Sequence, residues 1–286
     1  MTHQWHELST TAALPGLYLR AARKRKISGT TLPTTGLRCS LEVNAERLAA
    51  YRTLCHFGDD PLLPATWPHV MAFPLQLQLL TANDFPFPLP GLVHLSNSIH
   101  VIRPLGGVTR LHFAVRVDNL QAHEKGATFD LITEARDGLG LLWSETSRML
   151  CRGVKLPGEP ACEPEAEALP LSELTRWYAD SNIGRRYARL CGDYNPIHLS
   201  AISARLFGFP KAIAHGMWSK AMALAALRGH LPTGGYAIEV NFHKPVRLPS
   251  EVVLDASPVA PTGQLRLSGH GGLVHIQGTW RALEAP

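Results

Sequence analysis

Short sequence motifs recur in the same order on both sides of one segment, and this internal repeat narrows the possible folds more than any other property of the chain. The segment, residues 154–170, is rich in Pro, Glu and Ala, shows neither helical nor strand periodicity, and is typical of a linker. The matching pairs are Tyr51-Arg-Thr-Leu-Cys with Tyr187-Ala-Arg-Leu-Cys, His69-Val-Met with His215-Gly-Met, and Arg103-Pro with Lys244-Pro. Three matches in order predict two copies of one domain design, a first half over 1–153 and a second half over 171–286.

The second half has the clearer pattern of secondary structure. We expect helices over 172–181 and 183–190, and a longer apolar helix over 216–231 that is rich in Ala, Leu and Met. Four runs typical of strands follow it, separated by Pro and Gly, over 236–245, 251–258, 264–270 and 273–282.

The first half repeats this pattern with a weaker helix, expected over 68–81, which Pro74 should kink or shorten. Strands are expected over 92–103, 109–120, 128–135 and 141–149. The second of these alternates apolar residues with His112, Ala114 and Arg116, as a strand with one buried face does. One apolar helix before four strands predicts an α+β fold, in which an antiparallel sheet wraps around a central helix, used twice.

Composition indicates an ordinary globular protein. Hydrophobic residues make up 45% and charged residues 18%, which argues against disorder. The net charge of +5 comes partly from a basic run over 20–26, typical of a solvated face rather than of a nucleic-acid site, and it also suits an anionic substrate. The five cysteines form no C-x-x-C pair and no H-E-x-x-H motif occurs, so we expect a reducing compartment and no metal centre.

The sequence shows no secretory signal pattern and no apolar run as long as a membrane span. We therefore expect a soluble, cytoplasmic protein with no nucleic-acid partner and no membrane span. We also expect it to form a homodimer.

The densest motif of the chain begins at Tyr187. It reads Tyr187-Ala-Arg-Leu-Cys-Gly-Asp-Tyr-Asn-Pro-Ile-His198, followed by Ala204 and by Ile213-Ala-His-Gly-Met217. This motif closely resembles the signature of the MaoC-like, or R-specific enoyl-CoA hydratase 2, family, whose fold is the hot dog. The layout in two halves resembles the double hot-dog hydratases and 3-hydroxyacyl-acyl-carrier-protein dehydratases, in which only one half keeps the catalytic residues.

The resemblance implies a lyase of fatty acid metabolism that works without a cofactor. Such enzymes hydrate trans-2-enoyl thioesters or dehydrate (3R)-hydroxyacyl thioesters, carried on coenzyme A or acyl carrier protein, and the sequence leaves the carrier open. The resemblance assigns water activation and proton transfer to Asp193 and His198. Hydration needs a base, an acid and a group that holds the enolate-like oxygen. The sequence does not determine which of the two residues is base and which is acid.

The Asn195-Pro196 pair explains how Asp193 and His198 could meet. On a regular helix the two residues would not share a face well. Proline fixes its own φ and biases Asn195 away from helix, so the chain can fold back and bring both side chains to one water. A helix-ending turn, in which Asp193 and Asn195 bond only the backbone, is the alternative. Asn195 is therefore a candidate catalytic residue whose turn role alone would explain its presence.

Gly216 begins the long helix and is the candidate oxyanion donor. Its N–H would be unpaired at a helix N-terminus, where the helix dipole favours developing negative charge. Close helix–sheet packing is the alternative reason for a glycine. The candidate substrate-binding residues are His215, Lys244 and Arg247. His215 could be a packed residue only, and the two cations could meet carrier phosphates or form a solvated face.

The first half lacks this motif and is expected to be catalytically silent. Asp59 can be aligned with Asp193, but no histidine aligns with His198, and Val70 replaces the glycine that begins the helix. The segment 84–90, rich in Phe and Pro, could line an acyl tunnel or be an ordinary buried loop.

Two other function classes stay open. A hot-dog thioesterase would use a carboxylate to activate water against the carbonyl, and it would release a free thiol. An acyl-thioester binding protein would keep the pocket without turnover, although it would not need to retain both Asp193 and His198.

Overall fold

The structure, a computed structural model, describes residues 3–158 and 169–284. Residues 159–168, which form most of the expected linker, lie outside the described residues. The division of the chain at 154–170 therefore stays a prediction.

The first half contains six strands and three helices among its described residues. In chain order they are β1 (Gln4–Leu8), α1 (Leu14–Arg23), β2 (Thr35–Glu42), α2 (Ala45–Leu54), α3 (Trp67–Leu80), β3 (Leu92–Val101), β4 (Arg110–His123), β5 (Gly126–Asp137) and β6 (Gly140–Arg152).

The described part of the second half contains five strands, three α-helices and three short 3-10 turns. The strands and helices are β7 (Ser172–Ala179), α4 (Ile183–Cys191), α5 (Ala201–Arg205), α6 (Gly216–Ala226), β8 (Tyr236–Phe242), β9 (Ser250–Ala256), β10 (Thr262–Ser268) and β11 (Val274–Ala282). The 3-10 turns are Pro196–His198, Leu227–Gly229 and His270–Gly272.

One sheet of eleven strands joins the two halves. Its order is β1-β2-β4-β5-β6-β3-β8-β11-β10-β9-β7, and every neighbouring pair is antiparallel except β1 with β2. Apart from the edge strand β1, each half contributes five strands in the same order, β2-β4-β5-β6-β3 and β7-β9-β10-β11-β8, so the repeat inferred from the motifs is present in the topology. The strands β3 and β8 pair in the middle. The expected two sheets are thus fused edge to edge.

The two central helices are apolar because both lie in the core. Helix α3 packs against β2, β4 and β5. Helix α6 buries most of its side chains, among them Trp218, Met222 and Leu224. On β4 the predicted alternation holds except at Ala114. Leu111 and Val115 are fully buried and His112 is exposed, but Ala114 on the opposite face is also buried. Each large apolar side chain buried in this way stabilises the fold by about 1.5–3 kcal/mol.

The helix expected over 172–181 is wrong, because Ser172–Ala179 forms strand β7. This strand lies at one edge of the sheet and pairs with β9. An edge strand buries little of either face, so its sequence lacks clean alternation. The residues Thr175, Trp177 and Tyr178 do favour strands, and pairing with β9 decides the conformation.

Pro74 does not shorten α3, which continues for 14 residues. Proline has no N–H to donate to the carbonyl of Val70, four residues earlier. The guanidinium of Arg47 donates to that carbonyl at 3.3 Å. A side chain from α2 therefore satisfies the acceptor that the proline leaves free.

Two further expectations concern the described residues alone. Cys39, Cys55, Cys151 and Cys191 are buried free thiols, and Cys162 lies outside the described residues. None of the described helices combines the length and the hydrophobicity needed to cross a membrane.

Candidate active site

The motif residues leave α4 through a glycine. Gly192 has a φ of 87°, in the left-handed region that favours glycine, and its N–H donates to the carbonyl of Ala188 at 2.8 Å. This C-cap ends the helix and turns the chain, so Asp193 stands in the loop that follows. Its side chain is 30% exposed.

The Asn195-Pro196 turn forms as the sequence indicates. Asn195 is non-helical, with φ −56° and ψ 125°. Its Oδ1 accepts from the N–H of Ile197 at 3.4 Å, and Pro196 begins the 3-10 turn that ends at His198. In the same loop, the Oδ1 of Asp193 accepts from the N–H of Asn195 at 3.1 Å. Asn195 therefore has the turn role, and a direct contact with water or substrate stays a prediction.

His198 is held from behind by the backbone. Its Nδ1 donates to the carbonyl of Ile213 at 2.8 Å. Since a carbonyl only accepts, the proton of a neutral ring is on Nδ1, and Nε2 is left unprotonated, without a partner among the described residues. Burial lowers the pKa of His198 below its ordinary value of 6.5, although the Asp193 charge opposes this. The ring is therefore neutral near neutral pH.

His215 links the aspartate to the histidine. Its Nε2 donates to the backbone carbonyl of Asp193 at 3.0 Å and lies 3.7 Å from the carboxylate Oδ2. Its ring stacks on that of His198 with centroids 3.7 Å apart. Burial, together with repulsion from His198, lowers the pKa of His215 to about 3. The sequence predicted a substrate contact here. The structure places the ring buried beside both catalytic candidates, and a substrate contact stays a prediction.

Asp193, His198 and His215 form one cluster. Each offers an oxygen or nitrogen atom, and these atoms lie within 4.8 Å of one another. A single water or hydroxyl group can contact more than one of them at such separations. The same residue types bind transition metals, and metal-bound histidines also direct their second N–H to carbonyls. These three residues are thus the ones that could hold an ion, and the expected absence of a metal stays a prediction.

Gly216 begins α6 directly after His215, as predicted. A Cβ at this position would meet the Phe242 ring at 2.9 Å, so the close approach to β8 explains the glycine by packing. The same position leaves the backbone N–H at the start of the helix, where it has no partner within the helix. The oxyanion role stays a prediction.

Lys244 and Arg247 lie after β8 and are both exposed. Arg247 forms an isolated β-bridge with Ile213, whose carbonyl holds His198. Lys244 accepts at its own carbonyl from the Nδ1 of His275 at 2.8 Å. Both cations therefore lie near the Ile213 segment, which supports His198. Phosphate binding by the two side chains stays a prediction.

Sequence reasoning missed three residues that support this loop. The Tyr18 hydroxyl, from α1, donates to the carbonyl of Gly192 at 2.8 Å and accepts from the N–H of Tyr194 at 2.7 Å. It thereby binds the backbone on both sides of Asp193. Burial raises the pKa of Tyr18, and so does the Asp193 charge, so the hydroxyl keeps its proton. No local pattern around Tyr18 indicates this contact.

Arg47 and Gly184 act in the same region. The Nε of Arg47 donates to the carbonyl of Leu190 at 2.7 Å, at the C-terminal end of α4. A Cβ on Gly184 would lie 2.0 Å from the carbonyl oxygen of His198. A glycine inside a helix is unfavourable without such a close approach, so Gly184 was the one of the three with a signal in the sequence.

The first half contains no comparable group at the aligned positions. Asp59 is exposed to solvent, and Val70 is buried inside α3. In the segment 84–90, Phe85 and Phe87 are fully buried and pack on Phe129. This packing favours an ordinary buried loop over an acyl tunnel.

The second half matches a known protein family. Residues 166–266 match the MaoC like domain. The chain is also similar to the 3-hydroxyacyl-thioester dehydratase X of Mycobacterium tuberculosis, with 33% identity over 246 residues that cover 85% of this chain and 87% of the relative. The chain belongs to the MaoC-like dehydratase family. The family model spans the whole cluster of Asp193, His198 and His215.

Solved structures agree with the fold of this MaoC-like protein. The crystal structure of HtdX of Mycobacterium tuberculosis has a TM-score of 0.75 and 30% identity, and the match covers 87% of this chain and 100% of that chain. Another Mycobacterium tuberculosis protein, described as a double hotdog fold, has a TM-score of 0.55 and 11% identity, with 91% and 97% covered. The second likeness shows the fold alone. The expected double hot-dog fold is confirmed.

Proposed function

We propose that this protein is a hydro-lyase of fatty acid metabolism, which dehydrates (3R)-3-hydroxyacyl thioesters to trans-2-enoyl thioesters and catalyses the reverse hydration. The observation that carries the proposal is that the Asp193 carboxylate and a ring nitrogen of His198 lie in one cluster, while the bond of Nδ1 to Ile213 leaves Nε2 unprotonated. The name of the Mycobacterium tuberculosis relative, a 3-hydroxyacyl-thioester dehydratase, describes the same reaction class. The (3R) configuration follows from the family resemblance alone.

The two side chains suffice to move the protons of this reaction. In dehydration, Nε2 of His198 takes a proton from C2, and the electron pair of that C–H bond forms the enolate of the thioester. The C3–O bond then breaks, and the enolate electrons form the C2=C3 double bond. The leaving hydroxyl takes the proton back from the His198 imidazolium and departs as water. The Asp193 carboxylate accepts a hydrogen bond from the hydroxyl and stabilises the imidazolium.

The low pKa of His198 suits this role. A base must be unprotonated before the reaction begins, and burial keeps the ring neutral near neutral pH. The hydrogen bond to Ile213 fixes which nitrogen is free. His215 stacks on His198 and donates to the backbone carbonyl of Asp193. It therefore fixes the position of the two residues relative to each other.

Gly216 is the proposed oxyanion donor for the enolate. The start of α6 follows His215 directly, so the unpaired N–H and the positive end of the helix dipole lie beside the cluster. Removing one such donor from an acyl-transfer enzyme typically lowers kcat by about 100-fold to 1000-fold.

The remaining expectations complete the proposal. Lys244 and Arg247 bind the anionic groups of the carrier, supported by their exposure beside the Ile213 segment. The protein works in the cytoplasm as a homodimer, supported by the family resemblance and by the sequence pattern. The halves divide at 154–170, supported by the end of β6 at Arg152 and the start of β7 at Ser172.

The test is the loss of enoyl absorbance when crotonyl and longer enoyl thioesters are mixed with the enzyme, read together with release of free thiol. The proposal expects absorbance loss without thiol release, with the (3R)-hydroxyacyl product identified by chiral chromatography. Thiol release at the same rate as substrate loss would instead show a thioesterase. Saturable binding without either change would show a binding protein.

A further inference from the structure

The turn from Asn195 to His198, here called the catalytic turn, is followed by a stretch without acidic side chains. Between Asp193 and Glu239 the sequence contains no Asp or Glu, so this stretch has no side-chain carboxylate. Helix α5 and the loop after it place large apolar side chains in solvent, since Ile202 is 78%, Leu206 is 82% and Phe207 is 41% exposed. Apolar side chains grouped in solvent mark surfaces that bind other molecules.

Three cations accompany these apolar side chains. Arg205 and Lys211 are exposed, as is Arg185 on α4. In the part of the chain that the structure describes, none of the three has a carboxylate within ion-pair distance, whereas the neighbouring Arg186 pairs with Asp180 at 3.3 Å. We call these six residues the α5 patch: Arg185, Ile202, Arg205, Leu206, Phe207 and Lys211.

The α5 patch is fastened to the catalytic turn. The Ser203 hydroxyl, on α5, donates to the carbonyl of Pro196 at 2.7 Å. The guanidinium of Arg185 donates to the carbonyl of Leu199 at 2.9 Å. These two carbonyls lie on either side of His198 in the chain. A molecule seated on the α5 patch therefore sits beside the candidate active site.

We infer that the α5 patch docks an acidic carrier protein, which presents its acyl thioester to the Asp193–His198 pair. The inference rests on the proposed function and names the carrier that the function leaves open. The phosphates of coenzyme A need cations only. A folded acidic carrier offers carboxylates to the three cations and apolar side chains to Ile202 and Leu206, as protein interfaces do.

A second copy of this chain fits the patch less well. In a two-fold dimer the same surface meets itself, so its three cations would face a patch that contains no carboxylate. An anionic lipid surface would satisfy the charges and the apolar side chains. A membrane would not, however, account for their attachment to the turn that carries His198.

The test compares one acyl group on two carriers. Arg205→Glu and Leu206→Asp are assayed with the same enoyl group on coenzyme A and on an acidic acyl carrier protein. Each variant should lower kcat/KM for the protein-bound substrate by about tenfold or more, mainly through KM, and leave the coenzyme A substrate within about twofold. Lys26→Glu reverses a positive charge and Leu139→Asp replaces an exposed leucine in the first half. These control variants should change kcat/KM for neither substrate.

Every other outcome overturns the inference. Equal losses with both carriers would mean that the patch serves a group they share, and no loss with either would mean that it serves neither. A variant that changes only the sedimentation coefficient would mark a contact between copies. Loss of binding to anionic phospholipid vesicles with unchanged kinetics would mark a membrane surface.

If no thioester turns over, the proposed function fails while the docking surface is still tested. Binding of the carrier protein loaded with a saturated acyl group is then titrated directly. The Arg205→Glu and Leu206→Asp variants should weaken this binding by about tenfold. Unchanged binding would overturn the docking inference.

Discussion

The two halves use one scaffold but fill its centre differently. In the first half, Glu145 on β6 is fully buried and accepts from His69 at 2.9 Å, Asn97 at 2.7 Å and Gln76 at 3.2 Å. In the second half, the Nε2 of His198 has no partner among the described residues, and the Asp193 carboxylate is partly exposed. The same topology therefore holds a closed polar network in one copy and, in the other, an unpartnered histidine nitrogen beside a partly exposed carboxylate.

The closed network also joins the halves. The ammonium group of Lys220, on α6 of the second half, donates to the backbone carbonyl and the Oδ1 of Asn97 and to the carbonyl of Ile238. Burial lowers the pKa of Lys220 to about 7. Burial alone would raise the pKa of Glu145, but the neighbouring His69 and Asn97 lower it. Ionisable side chains such as Lys220 and Glu145 thus have a structural role here, because their charged groups are hydrogen-bonded within the network.

The largest expected effect is on the stability of this network. Lys220→Met removes the donor to the Oδ1 of Asn97 and the positive charge that lowers the pKa of Glu145, so the free energy of unfolding should fall by about 3 kcal/mol or more. Urea denaturation measures it, with the exposed Lys26→Met as the matched control at less than about 0.5 kcal/mol. An equal free energy of unfolding for Lys220→Met and Lys26→Met would mean that the buried network does not stabilise the first half.

His198→Gln tests the open centre. Because glutamine has no basic nitrogen, kcat should fall by about 100-fold or more with little change in stability. The double variant with Asp193→Asn should lose little more than the worse single one, since both side chains act on one substrate group. Multiplied losses in the double variant would show that the two residues act independently.

The stability of the open centre should depend on pH. Because burial lowers the folded pKa of His215 to about 3 while the unfolded value is near 6.5, its contribution is present above about pH 6.5 and is lost as pH falls. Between about pH 7 and about pH 5 the loss should be about 2 kcal/mol for this residue. The His215→Asn variant should show a pH dependence of unfolding that is weaker by this amount. An unchanged pH dependence would contradict the buried neutral imidazole.

The Tyr18→Phe variant tests whether the first half supports the loop around Asp193 in the second half. Tyr18→Phe removes the hydroxyl that binds the backbone on both sides of Asp193, so kcat should fall by about tenfold with KM nearly unchanged. Tyr51→Phe is the control, because it loses a buried hydroxyl bond to Thr66 elsewhere in the first half. Both variants should lose about 1 kcal/mol of stability. A kcat loss shared by both would show a general effect of packing.

Periodicity and local motifs predicted the helices, strands and turns that are determined by residues close together in the sequence. The apolar run after Gly216 and the alternation along β4 each bury one continuous surface, so their patterns are strong. The turn at Asn195-Pro196 follows from the fixed φ of proline. These features predict from the sequence that Asp193 and His198 lie close together.

The parts that were missed depend on distant contacts. Strand β7 exists because β9 pairs with it, and the contact of Tyr18 with the loop that contains Asp193 joins residues far apart in the sequence. The proline in α3 is tolerated because Arg47, from another helix, takes its place as donor. No local window contains both partners of these contacts, so sequence patterns alone could not predict them.

The most direct measurement compares kcat for Asp193→Asn and Asp59→Asn on one enoyl thioester. Asp193 lies in the cluster with His198, whereas Asp59 is an exposed residue with no histidine aligned beside it. We expect kcat to fall by about 100-fold or more for Asp193→Asn and to be unchanged for Asp59→Asn. Comparable losses in the two variants would contradict it, because the first half would then also contain an active site.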